Sequence, residues 1–360
     1  VEAINQGGDY EAACYQLTDD IQLDRTVASV ESFSGVFDGG GHVIDGYTLK
    51  SSDETDGLFR LNNGTIRALG MTNVKVTGPN TAETSRRGGL CFQNKGTIEE
   101  CFVTGSVSGG HRTGGIAAEN YELIQNCYFT GKTTGRCETG GIAAWNANTG
   151  TVKNCYVSAD ITTQTNNCGI IGGYGYTGTV YQGNVILSGS TLTTTNDWNH
   201  ARICGRNNGV DENTTYQENL ACTEITVNGQ TVSGGAANNK NGADKTAAEL
   251  KNQATYEALG WDFNTVWTMD EVLGRPVLKA VAEKTVQREI NTVDTIWRYL
   301  DDGTDPAGDS ADAGYDRTAW TLPGFDDSTW KTGKGSFGAK KGAISDLGGG
   351  CVPNTLLNQY

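Results

Sequence analysis

The sequence predicts an all-β chain whose main part is a parallel β-solenoid. A segment of similar sequence recurs every 26 residues, each copy holds three short β-prone runs, and the copies lack the 3.6-residue apolar period of a helix. Glycine accounts for 50 of 360 residues, whereas only five are proline. This composition excludes a proline-rich linker and indicates many tight corners.

The repeats are clearest where three copies begin with paired glycines, as in GGLCFQNKGTIEECFVTGSVSG and GGIAAENYELIQNCYFTGKTTG. Six copies can be recognised, and they begin at Gly57, Gly88, Gly114, Gly140, Gly169 and Arg202. One copy cannot bury its apolar side alone, so equivalent positions must stack about 4.8 Å apart. We therefore predict a repeat domain over residues 57–233.

Alignment of the copies predicts columns of equivalent side chains along the solenoid axis. The inward columns are Ile98, Ile124 and Val152, then Cys101, Cys127 and Cys155, then Val103, Phe129 and Val157. A corner column consists of Asn62, Asn94, Asn120, Asn146 and Asn207. Stacked side-chain amides can hydrogen-bond along the axis, so we expect this column to form a ladder.

The segments on either side of the repeats differ from them, as caps of a repeat array do. Residues 1–56 are predicted to form an N-terminal cap and entry strands, with a short helix in YEAACYQL (residues 10–17) and a tight turn over 37–42. Residues 234–280 are predicted as a C-terminal cap, with a helix inside 246–259 and a closing strand pair. A linker over 281–294 then leads to a truncated β-sandwich over 295–360.

Charge and hydropathy exclude several classes of partner. The formal net charge is −15, and no cluster of lysine and arginine is long enough to follow a phosphate backbone, so we expect neither nucleic acid nor an anionic membrane surface as a partner. No run of 18 apolar residues is present. Polarity that comes mainly from hydroxyls and amides is typical of an exported protein. Because the chain starts at Val1 and stops within structured sequence, we expect a fragment of a longer protein.

Two sets of residues are candidate binding sites. Phe102, Tyr128 and Tyr156 follow the inward cysteines and should point outward, where aromatic rings could stack on sugars. The alternative is mutual stacking, or packing beneath a loop. Asp301, Asp302 and Asp305 offer oxygen ligands of the kind that Ca²⁺ takes, so a structural calcium is weighed against a solvated loop. No other cofactor is expected.

The remaining polar residues do not form a recognisable catalytic motif. The acidic residues of the repeats are Glu99, Glu100, Glu119, Glu122, Glu138 and Asp160, and they fit solvated strand edges. His42, His111 and His200 have no partner at a triad or metal spacing. The ten cysteines are interpreted mainly as buried thiols, with Cys137 and Cys168 as the pair best placed for a disulfide.

The segment 57–160 resembles the GLUG-motif repeat: paired glycines, an apolar run, asparagine, Gly-Thr-Ile, a cysteine-aromatic pair and a closing Thr-Gly. FSGVFDGGGH (33–42) looks like its entry segment, and GWDF (260–263) looks like its exit segment. The resemblance implies a right-handed parallel β-helix in large secreted or surface-anchored bacterial proteins, including adhesins and IgA-cleaving metallopeptidases, where the repeats are accessory. Residues 296–338 are similar to the opening of galactose-binding-like jelly rolls of bacterial hydrolases and phosphoesterases.

Together these features predict a non-catalytic extracellular module, adhesive or spacer, of a secreted or wall-attached bacterial protein. Its expected partners are glycans, host or cell-surface components, and further domains of the same polypeptide. Two alternatives remain open. One is a polysaccharide lyase or glycoside hydrolase with its active site on the solenoid face. The other is an accessory region of a hydrolase or phosphoesterase whose catalytic domain lies beyond residue 360.

Overall fold

The computed structural model describes residues 1–23, 26–50, 55–79, 84–195, 199–207, 214–281, 296–299 and 328–334. The chain divides into two compact units, Val1–Glu283 and Lys284–Tyr360. In the second unit the described residues form one antiparallel pair, Ile296–Tyr299 with Lys331–Lys334. Most of the predicted linker and β-sandwich lies outside the described residues.

The first unit is a parallel β-solenoid, whose described strands form three sheets along its axis. Sheet 1 holds Cys14–Gln16, Ile21–Gln22, Val36–Asp45, Thr48–Lys50, Thr65–Thr77, Thr97–Glu99, Phe102–Ser108, Leu123–Gln125, Tyr128–Gly135, Thr151–Lys153, Tyr156–Thr163, Val180–Gln182, Val185–Ile186, Thr191–Thr194, Thr215–Gln217, Leu220–Cys222, Thr226–Val227, Gln230–Thr231 and Ala243–Lys245. Sheet 2 holds Val30–Phe33, Phe59–Asn62, Cys91–Asn94, Ala117–Asn120, Ala143–Asn146, Gly172–Gly175 and Cys204–Asn207. Sheet 3 holds Thr55–Asp56, Arg86–Gly88, Arg112–Gly114, Thr139–Gly140, Cys168–Gly169 and His200–Ala201.

Strand pairing places the repeats in the predicted register. Ile98 lies opposite Ile124, which lies opposite Val152, and Phe129 is flanked by Val103 and Val157. All of these side chains are fully buried, as are the thiols of Cys101, Cys127 and Cys155. The predicted inward columns are therefore confirmed, and they form one continuous core between the sheets.

The asparagine ladder occupies the corner after sheet 2. Asn62 donates to Asn94 at 2.7 Å, Asn94 donates to Asn120 at 2.8 Å, and Asn120 donates to Asn146 at 2.8 Å, each from Nδ2 to Oδ1. Gly175 occupies the next position, ahead of Asn207. A primary amide has both a donor and an acceptor, so identical amides satisfy each other when stacked. The predicted ladder is confirmed for the four amides that run without interruption.

The paired glycines are explained by a corner between sheets 3 and 2. A Cβ atom at Gly114 would lie 1.8 Å from the carbonyl oxygen of Ala117, and one at Gly88 would lie 1.8 Å from that of Cys91. A Cβ at Gly115 would meet the carbonyl oxygen of Gly141, in the next coil, at 2.2 Å. A side chain at any of these three positions would collide with the backbone, so the corner requires glycine there.

The N-terminal cap differs from its prediction. The segment 10–17 does not form a helix: two short 3₁₀ turns, Ile4–Gln6 and Gly8–Tyr10, precede the strand Cys14–Gln16. This strand pairs in parallel with Val36–Asp45, because the first coil must supply hydrogen bonds to the sheet edge. The predicted turn at 37–42 is a bulge inside Val36–Asp45, where Gly40 and Gly41 have positive φ.

The C-terminal cap combines short helical turns with a hairpin. The predicted helix is reduced to a 3₁₀ turn, Glu249–Lys251, and an α-helix, Gln253–Glu257, while the closing pair is confirmed as Trp267–Asp270 and Arg275–Leu278. The buried Arg202 stabilises the segment just before these helical turns. It donates to Asp244 Oδ1 at 2.6 Å and to the Gly242 carbonyl at 2.8 Å. No helix in the described part of the chain has the length and apolarity needed to cross a bilayer.

We expect Asn120→Ala to lower the free energy of unfolding by about 2–4 kcal/mol. The change removes donors to Asn146 Oδ1 and the Thr151 carbonyl and leaves Asn94 Nδ2 without its amide acceptor inside the core. Urea denaturation monitored by circular dichroism measures the difference. Gln125→Ala is the control, because this half-buried amide donates to Glu99 on the outer side of sheet 1, and we expect it to cost under about 1 kcal/mol. Equal losses for the two variants would contradict the ladder's role.

Candidate functional site

The outward aromatic column predicted to bind sugars is buried. Phe102, Tyr128 and Tyr156 stack with ring centroids 4.8 and 4.6 Å apart, and none of the three side chains is accessible to solvent. Trp267 of the closing hairpin lies 6.4 Å from Tyr128 and 6.1 Å from Tyr156. The prediction of an accessible glycan-stacking stripe is wrong, because the C-terminal cap folds back over it. The alternative of mutual stacking under a covering segment is the one observed.

The other predicted sites have different outcomes. Asp301, Asp302 and Asp305 lie outside the described residues, so the calcium hypothesis stays a prediction. Cys137 and Cys168 are not bridged, because strand pairing sets Cys168 opposite Thr139, two residues away from Cys137. None of the nine cysteines that the structure describes forms a disulfide. Burial raises the pKa of Cys101 and Cys127 well above the ordinary value, so these thiols are unreactive.

An accessible aromatic surface lies on sheet 2 instead. The outer positions of adjacent coils are Gln93, Glu119, Trp145 and Tyr174, and the corner beside them carries two further tyrosines. We call Tyr121, Trp145, Tyr174 and Tyr176 the aromatic face. Trp145 lies between Tyr121, at 5.6 Å between ring centroids, and Tyr176, at 6.2 Å, and meets both edge to face.

The aromatic face is open to solvent at its corner. Tyr176 is 38% exposed, Tyr121 and Trp145 are half-buried, and Tyr174 is buried beside Tyr176. Lys95 lies 5.7 Å above the ring of Tyr121. Because the rings are held by neighbouring strands and by one another, little conformational freedom is left to lose when a ligand binds.

A set of charged residues, the Arg–Glu cluster, adjoins the aromatic face and consists of Arg86, Arg112, Glu119 and Glu138. Arg112 donates from Nη1 to Glu119 and from Nε to Glu138 Oε2 at 2.6 Å. Arg86 Nε lies 3.3 Å from Glu119 Oε1. The guanidinium carbon of Arg112 also lies 3.6 Å from the centroid of the Trp145 ring, so the cluster and the aromatic face are in direct contact.

The Glu119 carboxylate is buried and fully engaged. Its side chain is 2% exposed, and Oε2 accepts from Gln93 Nε2 at 2.8 Å and from the Tyr121 hydroxyl at 3.2 Å. Burial and then the charge of Glu119 raise the pKa of Tyr121 to about 12. Burial opposes the charge of Arg112, but Glu138 and Glu119 outweigh it and raise the pKa of Arg112. A carboxylate with these partners offers no open approach for a substrate, which favours an orienting role.

The other acidic residues of the repeats lie on sheet 1 or at the corners beside it. Asp160 accepts from Thr191 at 2.6 Å, and Glu99 accepts from Gln125 at 2.9 Å, both on sheet 1. Glu100 occupies a corner with positive φ, and Asn126 and Asn154 have the same backbone conformation in the following coils. Burial, followed by the charge of Glu99, raises the pKa of Glu100. A second group of carboxylates with an arginine lies on sheet 1. Arg67 donates to Asp38 Oδ2 at 2.9 Å and lies opposite Glu99 in the strand pairing.

Glu119 and Glu138 were recognised from the sequence, but their arginine partners were not. Arg86 and Arg112 are equivalent residues of sheet 3, whereas Glu119 lies on sheet 2. The signal was the pair Arg86 and Arg112 at the repeat spacing, with Glu119 after the corner that follows Arg112. The aromatic face was missed because Tyr121 and Tyr176 do not recur in every copy.

We expect Tyr128→Ala to destabilise the protein by about 3–5 kcal/mol, because it leaves a cavity between two stacked rings and the cap. Tyr176→Ala is the matched control and should change stability by less than about 0.5 kcal/mol, since its ring is partly exposed. Urea titration of both variants measures the difference. A mild effect at Tyr128 would show that the cap does not cover the column.

We expect Arg112→Ala to lower the free energy of unfolding by about 3–5 kcal/mol, because it removes a guanidinium that pairs with the buried Glu119 carboxylate. The double variant Arg112→Ala/Glu119→Gln removes that charge and should recover part of the loss. Thermal and urea unfolding of the single and double variants provide the measurement. If the two side chains are not coupled, Glu119→Gln will cost the same with and without Arg112. The double variant would then be less stable than Arg112→Ala by that full cost.

Comparison with known proteins identifies the repeats. Residues 135–162 match the family model of the GLUG motif. The fold is similar to the crystal structure of a putative immunoglobulin A1 protease from Bacteroides ovatus, with 22% identity over 75% of this chain and 86% of that chain and a TM-score of 0.61. No curated protein matches the chain. Residues 135–162 are therefore a GLUG motif, within repeats that fold as a parallel β-solenoid.

Proposed function

We propose that the chain is a non-catalytic module of a secreted or cell-surface protein, and that it binds glycans through the aromatic face. One observation carries the proposal: Trp145 is fixed between Tyr121 and Tyr176 on a side of the solenoid that the described residues of the two caps leave uncovered. The buried column on sheet 1 cannot serve this role.

The chemistry of the aromatic face suits a sugar. A pyranose ring offers an apolar C–H face and a rim of hydroxyls, and tyrosine and tryptophan pair an apolar ring with a polar tip. The exposed Asn148 and Thr149 lie at the same corner, where the Thr149 hydroxyl donates to the Tyr121 carbonyl. A ligand stacked on the rings would thus meet amide and hydroxyl groups at its edge.

The electrostatics favour binding over bond cleavage. Hydrolysis of a glycosidic bond needs one carboxyl group that can donate a proton and one that can approach the sugar. Glu119 is 2% exposed and bonded on both oxygens, and Glu138 is held by Arg112. Their geometry supports a role in fixing Arg112 beneath Trp145, which keeps the aromatic face in place.

The test is a glycan array probed with the full chain, with the bound sugars checked by mass spectrometry for cleavage. We expect binding without cleavage, weakened at least tenfold in Tyr121→Ala/Tyr176→Ala. Tyr10→Ala is the control, because this residue of the N-terminal cap is 51% exposed and lies outside the aromatic face. Circular dichroism confirms that each variant is folded.

Three results would count against the proposal. Cleaved products would indicate a carbohydrate-active enzyme. Equal binding by the double variant and the parent chain would place any glycan site elsewhere. Absence of binding on the whole array would leave a spacer arm as the better account.

A further inference from the structure

Three potential metal ligands meet at the corner before sheet 3. Ligand atoms of His111, Cys137 and Glu138 all lie within 4.8 Å of one another. Cys137 and Glu138 are each 8% exposed and His111 is half-buried, so the group is recessed but reachable from solvent. We propose that these three residues bind a zinc ion, which no motif in the sequence indicates.

The stacking of coils creates this group. Thr113 pairs with Thr139 and the Arg136 amide donates to the Gly110 carbonyl at 2.8 Å, so His111 and Cys137 are equivalent residues of adjacent coils. Stacked side chains point the same way, which brings an imidazole and a thiol together. Because the ligands are separated by one repeat, the short spacings typical of zinc motifs do not apply.

The donor set fits zinc better than calcium or magnesium. Imidazole nitrogen, thiolate sulfur and carboxylate oxygen are the three ligand types that Zn²⁺ takes, whereas the hard cations require oxygen alone. Usual bond lengths to zinc place tetrahedral ligand atoms about 3.4–3.6 Å apart. The observed separations of up to 4.8 Å therefore need a contraction of about 1 Å, within reach of side-chain rotation.

The surroundings supply an outer layer of support. Arg112 Nε donates to Glu138 Oε2 at 2.6 Å, which orients the carboxylate and leaves Oε1 for the ion. The Cys137 thiol donates to Asn166 Oδ1 at 3.0 Å, a hydrogen bond that is given up when the thiol loses its proton to zinc. Asn167 Nδ2, 4.0 Å from Sγ, remains as a donor to the thiolate. With three protein ligands, the fourth position falls to a water molecule.

The local charge tolerates the ion. The Arg–Glu cluster contains two arginines and two glutamates, and the bound zinc brings two positive charges while Cys137 loses a proton. With Arg136, whose charge also acts on Cys137, the local sum is then two positive charges in a chain of formal net charge −15. Burial raises the pKa of the Cys137 thiol, so zinc must displace that proton and its affinity should fall as the pH is lowered.

The test uses the full chain, stripped with a chelator and titrated with ZnCl₂ by calorimetry and with CoCl₂ by absorption spectroscopy. We expect one zinc per chain, a higher melting temperature with zinc, and a thiolate-to-cobalt charge-transfer band. Cys137→Ser should abolish the band and weaken zinc binding at least tenfold, and His111→Gln should weaken binding while keeping the band. Cys14→Ser is the control, because this cysteine is exposed on the N-terminal edge strand and should bind like the parent chain.

Two outcomes would overturn the proposal. The first is no stoichiometric binding by the folded parent chain at 100-fold excess zinc over protein. The second is binding and a cobalt band that persist in Cys137→Ser. If Cys137→Ser does not fold, His111→Gln decides, because unchanged affinity in that variant would also refute the site. Glycan binding by the aromatic face is measured separately, so either proposal can fail alone.

Discussion

In-register stacking of coils is the constraint on which the rest of the structure depends. Each side chain has the equivalent residue of the next coil as a neighbour, so a column is stable only if its members tolerate one another. Amides satisfy this condition as the asparagine ladder, and aromatic rings satisfy it as the stack of Phe102, Tyr128 and Tyr156. Like charges do not satisfy this condition by themselves. Arg86 and Arg112 occupy equivalent positions of adjacent coils, and Glu119 pairs with both of them.

The same constraint explains how much of the fold could be predicted from the sequence. Columns such as Ile98–Ile124–Val152 follow from the repeat alone, and so does the direction of each side chain, since strands alternate. The cap at residues 10–17 could not be predicted this way. Its local pattern suits a helix, but the adjacent sheet edge needs a strand.

The candidate site shows where prediction from the repeat stops. That Tyr128 points away from the core column was predictable, but its burial under Trp267 was not, because the cover comes from a segment about 140 residues later. Trp145 and Tyr176 do not recur at the equivalent positions of every copy, so alignment of the copies could not predict them. The contact between Arg112 and Glu119 joins residues on different sheets, which requires the corner geometry set by Gly114 and Gly115.

The cap that covers the aromatic column also changes how the solenoid resists disruption. An array whose coils touch only their neighbours can lose its last coil without disturbing the others. Here Trp261 donates to the Gly183 carbonyl at 2.8 Å while Trp267 packs against Tyr128 and Tyr156 of two earlier coils. The cap thus contacts several coils at once along the side of the solenoid. The last coil therefore cannot separate from the cap without also breaking the contacts of the cap with the coils of Tyr128 and Tyr156.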